Sequence, residues 1–562
     1  MDKVWLRSYP AGVPAEIDVT QYASMNDMLA QACRKFAHLP AFRNLDTTLT
    51  FEQVERMSRD FAAWLQSRPG LQKGSRVALM MPNILQYPIA LFGVLRAGMI
   101  VVNVNPLYTA RELEHQLKDS GAQAIVILEN FAHVLEKALA TTPVEHIVTT
   151  QIGDLVPAPR RWLVNYVVKH VRKMVPPWHI KGVVSFRTVL RQGSRAGWTD
   201  ARLEWTDIAF LQYTGGTTGT SKGAILTHGN VIANVLQSAA WTSPVIEEAR
   251  ETMITALPLY HIYSLTTNCL LGVMRGGLNL LITNPRDMPG FVKELSKTKF
   301  TIITGVNTLF NGLLNTPGFA ELDFSHLKFA LGGGAAVQLA VAERWQQVTG
   351  RPLVQGYGLT ETSPSVSCNT FTTEFNGTVG MPFPSTDIQI RDKDERALPA
   401  GKEGEICIRG PQVMQGYWQQ PAETEKVLTS DGWLRTGDIG YLDDLGFLRI
   451  TDRKKDMILV SGFNVYPNEV EGVIASHPGV RECAVIGIPD SRSGEAVKAF
   501  VVKKDPALTS EALIVFCHES LTNYKVPRFV EFRDDLPKNQ IGKVLRRELR
   551  PPATASSVAQ VS

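Results

Sequence analysis

Twelve consecutive residues, Tyr213 to Ala224, read YTGGTTGTSKGA and follow the apolar run IAFLQ. Gly215, Gly216, Gly219 and Gly223 let a backbone approach a polyphosphate closely, and Thr214, Thr217, Thr218, Thr220 and Ser221 offer hydroxyl donors. Lys222 adds positive charge. The segment is a cradle for anions. It is not a Walker A loop, which has Gly directly before Lys and Ser or Thr directly after it, whereas Ser221 and Gly223 flank Lys222. A flexible Gly/Thr linker is the alternative reading, but a linker has no need of a buried strand ahead of it.

A cradle needs a scaffold. Short β-branched runs at 208–213, 253–256, 278–282, 300–303 and 327–331 alternate with helical patterns, as in parallel sheets covered by helices. From Gly404 the runs crowd together (405–408, 447–451, 457–460), with turns at Asp431-Gly432 and Leu445-Gly446, as in a β-rich subdomain. The charged pentapeptide Asp452-Arg453-Lys454-Lys455-Asp456 is expected to be an exposed crossing between domains. Beyond it lies a small α+β unit, with a helix after Pro467, strands at 483–488 and 496–502 and a helix at 510–521. The last residues, PPATASSVAQVS, are small and polar and are expected to fray.

With 44% hydrophobic and 20% charged residues over 562 positions, the chain is neither disordered nor collagenous. Lys+Arg 58 against Asp+Glu 54 leaves +4, too little at this size to argue for a nucleic-acid partner. Six scattered cysteines without a CxxC pair suggest no metal knuckle and no disulfide framework, and so an intracellular chain. The first residues reach Pro and acidic groups before any run suited to a signal peptide. The most apolar stretch, 85–103, is broken by Pro88, Arg96 and Gly98 and reads as a helix followed by a buried strand.

In RRWLVNYVVKHVRKMVPPWHI, a helical rotation gathers Arg161, Asn165, Lys169, Arg172 and Lys173 on one face. Leu163, Val164, Val167, Val168, Val171, Met174 and Val175 fall opposite, with Trp162 and Tyr166 on the border. Two readings fit this pattern: a helix lying in a membrane interface, and a helix docked on the protein's own core.

At the glycine-threonine loop the sequence resembles the adenylate-forming enzymes: acyl-CoA synthetases, luciferases and peptide-synthetase adenylation domains. Three further segments carry the likeness in the family's order. They are Tyr357-Gly358-Leu359-Thr360-Glu361, Thr436-Gly437-Asp438 ahead of Asp452-Arg453, and the Gly542-Lys543 pair near the end. The block DGWLRTGDIGYLDDLGFLRITDRKK is similar to the signature of fatty acyl-CoA synthetases, and similarity to bacterial long-chain fatty acid–CoA ligases spans nearly the whole chain. The resemblance implies an α/β fold with a large adenylation region at 1–452, built of two α/β sheets and a β-rich subdomain. A hinge at 453–456, a mobile C-terminal lid at 457–550 and a disordered tail at 551–562 follow.

It also implies the chemistry. A fatty carboxylate attacks the α-phosphorus of ATP, pyrophosphate leaves, and the CoA thiol then displaces AMP. Both steps gather anions, so positioning and positive charge must supply most of the catalysis. Lys543 is the implied catalytic cation, although by itself it is one more basic residue in an Arg-rich tail. Glu361 is the implied Mg²⁺ ligand, a hard oxygen donor for a hard cation, where alone it would read as a helix cap. Thr360 would donate to the α-phosphate, Tyr357 and Gly358 would meet adenine, and Gly333 and Gly334 would line the base pocket. Val337 disqualifies that last run as a dinucleotide motif. Asp438 would accept from the ribose hydroxyls with Arg453 beside it, where either alone would read equally well as a surface turn residue. His261 matches the histidine at the mouth of the acyl pocket, and Gly462-Phe463 the face used for thioester formation. Leu265 stands where some long-chain members carry a gating Trp, and Ser461 where luciferases carry Lys. The implied setting is cytoplasmic, with peripheral contact at the inner membrane face and a homodimer left open. An acyl-AMP ligase serving a carrier protein, and a non-catalytic acyl-nucleotide scaffold, are the rival readings.

Overall fold

The computed structural model describes residues 3–214, 221–490, 492–539 and 541–550. In a seven-stranded sheet, Val184–Ser185, His146–Thr150, Ala124–Leu128, Arg76–Met80, Ile100–Asn103 and Ile208–Thr214 run parallel. Lys222–Thr227 closes the edge antiparallel. The central strands Ile100–Asn103 and Ala124–Leu128 are buried at every residue, as unbroken apolar runs covered on both faces must be. The stretch 85–103 forms the helix Gln86–Arg96 and the strand Ile100–Asn103, as expected.

A second sheet has nine strands. Its parallel centre runs Leu353–Gly358, Phe329–Gly332, Ile302–Gly305, Thr252–Thr255, Leu278–Leu281 and Pro40–Asn44, with antiparallel strands at both edges. The helix His228–Thr242 serves both sheets. Thr227 caps it, with Asn230 reciprocating, and its Val231 and Val235 join the core of the first sheet while Ala239 and Trp241 join a core of the second. In open sheets of this kind ligands sit beyond the carboxyl ends of the strands. Here those ends carry Thr214, Gly332 and Gly358.

Asp387–Arg391, Gly404–Arg409, Leu434–Leu442 and Leu448–Arg453 form an antiparallel sheet, the β-rich part read from the turns. A five-stranded sheet follows, with its own core of Ile458, Val470, Ile474, Val485 and Val501 under the helices Pro467–Ser476 and Ser510–Ser520. Its two longest strands, Val480–Asp490 and Gly494–Lys503, outrun the predicted ones because pairing continues past the apolar stretch.

The pentapeptide at 452–456 is not an exposed crossing throughout. Asp452 is buried, and only Lys454 and Lys455 are exposed. A partner 94 residues away explains this: Arg546 reaches Asp452 at 3.2 Å.

The basic-apolar segment also departs from the simple pattern. A helix Arg160–Tyr166 passes into a π-turn, Val167–Val171, and neither contains a buried residue. Asn165 and Lys169, expected on an outward cationic face, turn toward the body. The Asn165 side chain donates to Gln151 and accepts from the backbone of Gly153, both at 2.8 Å, and Lys169 lies 3.8 Å from Glu129. Trp162, Leu163, Tyr166, Val171 and Met174 face outward, each at least half exposed. No helix among the described residues is long and apolar enough to cross a membrane. The six cysteines are all buried. Residues 551–562, expected to fray, lie outside the described residues.

Candidate active site

One cavity of about 1720 Å³ lies where the carboxyl ends of the strands meet the antiparallel sheet and the C-terminal unit. Its first group of residues comes from strand register. Asp438 on Leu434–Leu442 pairs directly with Arg453 on Leu448–Arg453, and their side chains meet at 3.1 Å. From the neighbouring sheet, the Tyr357 hydroxyl donates to the other Asp438 oxygen at 2.6 Å. Burial and the Asp438 charge push the Tyr357 hydroxyl well above the usual phenol range, so it stays a donor. Asp438 is itself buried, a carboxylate held ready between two donors. Gly333 and Gly334 line the wall beside it. At Gly333 a Cβ would come within 3.0 Å of the Tyr263 ring, and Gly334 has φ +74°, so side chains are excluded there on both steric and conformational grounds.

Lys543 enters from the C-terminal unit. Its backbone N–H donates to Asn539 Oδ1 at 2.8 Å, and Asn539 returns a backbone bond at 2.8 Å. Gly542 has φ +85°, and its carbonyl accepts from Thr308 Oγ1 of the large region at 2.9 Å. A Cβ there would come within 2.5 Å of that oxygen. Ile541 is buried in a core of the large region. Burial first, and then the Arg453 charge, push the Lys543 ammonium down to about 8.

Arg546 fastens this element. It contacts Glu471 at 2.8 Å and Asp456 at 3.6 Å in addition to Asp452, and its charge is held well above the ordinary range by Glu471 and Asp452 despite burial. The sequence reading left Arg546 among the tail's basic residues. Its meaning lies in contacts across about 75 to 94 positions, which no local pattern reveals.

Glu361 and Thr360 follow the strand Leu353–Gly358 in a single 3-10 turn, Thr360–Thr362, and both line the cavity. Glu361 is not a helix cap: its Oε1 accepts from the Tyr417 hydroxyl at 2.7 Å. Tyr213, Thr214, Ser221, Lys222, Tyr357 and Gly358 line the cavity as well. Gly223 and Ala224 do not; they are paired into the sheet against Trp418 and Tyr417. Gly215, Gly216, Thr217, Thr218, Gly219 and Thr220 lie outside the described residues.

His261 lines the cavity, and burial pushes its imidazole down to about 4, so it is neutral at pH 7. The lining also includes the apolar side chains of Trp241, Ile246, Met253, Leu271, Phe329 and Phe383. These positions look like ordinary core in the sequence, and no motif marks them. Gly462 and Phe463 are not brought to the cavity. They sit at the hairpin Ile458–Val460/Phe463–Val465, Gly462 with no atom near its Cβ position and Phe463 exposed.

Residues 29–418 match the AMP-binding enzyme family, and residues 469–543 match the AMP-binding enzyme C-terminal domain. The chain belongs to the AMP-binding enzyme family. A long-chain-fatty-acid–CoA ligase of Escherichia coli O6:H1 is 57% identical to it over 554 residues, 98% of this chain and 99% of that protein. A protein of the same name from Yersinia pestis is 59% identical over 551 residues, 98% of each chain. A solved anthranilate CoA ligase in complex with anthranoyl-AMP shares the fold with a TM-score of 0.84 at 26% identity, over 95% of this chain and 98% of that one. The cavity described above thus belongs to a chain whose relatives bear the names of CoA ligases along its full length.

Proposed function

We propose that this protein is an AMP-forming acid–thiol ligase that joins long-chain fatty acids to CoA, consuming ATP and passing through an acyl-adenylate. One observation carries the reading: a single cavity unites the Tyr357–Asp438–Arg453 cluster, the Lys543 ammonium and apolar lining residues that include Trp241 and Ile246. A polar acceptor for a sugar, a cation for a phosphoryl group and a greasy slot for a chain are what the reaction requires.

In this reading Asp438 receives the ribose hydroxyls, Arg453 holds it in line, and Tyr357 packs against the base. The fatty chain packs against these apolar side chains, with its carboxylate near neutral His261. Lys543 bridges that carboxylate and the α-phosphate, offsetting charge that grows as the carboxylate oxygen bonds to phosphorus and pyrophosphate leaves. Thr360 donates to the α-phosphate. Glu361 is the carboxylate suited to Mg²⁺, which commonly binds through one or two protein carboxylates plus substrate phosphates. Bound there, the metal would draw charge from the phosphate oxygens.

The C-terminal unit, with boundaries at 457–550 after a hinge at 453–456, then turns to present Gly462-Phe463. Its exposed position and the polar contacts around Arg546 support such a departure. Fatty acids from acetate to oleate, each supplied with ATP, Mg²⁺ and CoA, test the reading. Acyl-CoA, AMP and pyrophosphate should form in equal amounts with long chains. Acyl-AMP release unaffected by CoA would instead favour a ligase serving a carrier protein.

A second reading concerns location. The outward Trp162, Leu163, Tyr166, Val171 and Met174 lie beside Arg161, Arg172 and Lys173, and this favours peripheral contact of a cytoplasmic enzyme with an anionic membrane face. Leu163, Val171 and Met174→Gln should abolish co-sedimentation with anionic liposomes, and unchanged binding would end this reading.

A further inference from the structure

A cation that lines the cleft already has a counter-ion of the protein's own. Lys222 opens the strand Lys222–Thr227, and its ammonium is ion-paired with Glu423 on the short helix Pro421–Val427. The same ammonium lies 5.1 Å from the centre of the Tyr417 ring, whose hydroxyl is the one that donates to Glu361. Tyr417 therefore ties the loop's cation to the carboxylate suited to the metal. It has little freedom itself. Gly416 accepts from Ile225 at 2.9 Å, Trp418 donates to Gly223 at 2.8 Å, and the Tyr417 N–H donates to Thr424 Oγ1 at 2.9 Å. Lys222 and Tyr417 line the cavity, whereas Glu423 does not.

We propose that Glu423 is an internal counter-ion which holds Lys222 while the cleft is empty and is displaced by the polyphosphate end of ATP, setting the grip on ATP and on departing pyrophosphate. The inference rests on the reading of the cleft as an ATP site. Glu423 remains charged at any working pH, because Lys222 and then Lys426 pull its carboxyl down to about 2. With side chains 27% and 31% exposed, the pair is wet enough to break readily, and a multiply charged polyphosphate outcompetes one carboxylate. The Tyr417 face keeps the freed ammonium over the cavity, so exchange of partner needs only a small side-chain movement. Every polyphosphate that binds must still break the pair, and every one that leaves is helped by its return. AMP, which lacks the β- and γ-phosphates, escapes this competition.

Calorimetric titration of the full-length protein with magnesium pyrophosphate, magnesium ATP and AMP tests the proposal, using Glu423→Gln, Lys222→Met and the double variant. Glu423→Gln should tighten pyrophosphate and ATP by about threefold, the scale of a part-exposed ion pair, and leave AMP unchanged. In the Lys222→Met background it should do nothing. Glu423→Asp, which draws the charge back by one methylene, should fall between wild type and Glu423→Gln. Weakened or unchanged pyrophosphate binding in Glu423→Gln, an equal gain for AMP, or a gain that survives loss of Lys222 would overturn the counter-ion role while the ATP site stands. Failure of the unaltered protein to bind either ATP or pyrophosphate would overturn the reading of the cleft itself.

Discussion

Asp438 and Lys543 line the same cavity but are held there by different means. Asp438 is fixed by sheet register: its strand pairs with that of Arg453, and Tyr357 closes on it from a second sheet. Lys543 is delivered by a unit with a separate core, docked on the large region through contacts that include the hydrogen bond from Thr308, the packing of Ile541, the Asn311 amide on the Arg481 carbonyl and the Arg546–Asp452 pair. Removing Asp438 from its place would require dismantling a sheet. Moving Lys543 requires only the parting of a seam between two units, at Thr308, Ile541 and the Arg546–Asp452 pair. On the proposed reaction, the half assigned to the nucleotide would stay and the half carrying Lys543 would leave between two successive reactions in one cavity.

The half that carries Lys543 offers the largest expected effects. Lys543→Ala should slow acyl-adenylate formation by about 10²–10³-fold, the effect of losing a charge-stabilising donor. Transfer from preformed acyl-AMP to CoA should be retained, and equal losses in both half-reactions would remove the role. Arg546→Met should leave buried Asp452 and part-buried Glu471 without their partner, costing about 3–5 kcal/mol by urea unfolding and loosening the C-terminal unit first in hydrogen exchange. Lys454→Pro restricts a hinge dihedral and should slow the CoA step while sparing the adenylation step, read as single-turnover rates.

The smallest effect is one of pH. In the proposed role Lys543 acts as an ammonium, and its folded-state value is lowered from the ordinary lysine range to about 8, so kcat/KM for ATP should fall with one deprotonation as pH rises through about 8. Lys543→Arg should carry that alkaline limb out of the accessible range even if the rate is lower. His261, pushed down to about 4, is neutral through this window and adds no limb to it.

What could be read in advance was what chemistry imposes locally. A backbone that must approach phosphates needs glycine, so the Tyr213–Ala224 loop and Gly333-Gly334 announce themselves. Parallel strands buried on both faces give continuous β-branched runs, so the alternating scaffold was visible too. Three features were not. Asp452 looked like a surface charge because Arg546, which makes its burial tolerable, lies in another element. Tyr417 and Glu423 carry no motif; they gain meaning only when the segment around Gly416 is laid along the strand beginning at Lys222. The helix near Trp162 seemed to turn its charges outward, but a π-turn and the Asn165 contacts rotate part of that face inward.

The central claim is that a fatty carboxylate oxygen bonds to the α-phosphorus of ATP. Palmitate labelled with ¹⁸O in its carboxyl group, incubated with the enzyme, ATP, Mg²⁺ and CoA, tests this most directly by mass spectrometry of the products. The account predicts one labelled oxygen in AMP and none in pyrophosphate. Unlabelled AMP, or label appearing in inorganic phosphate or pyrophosphate, would contradict it.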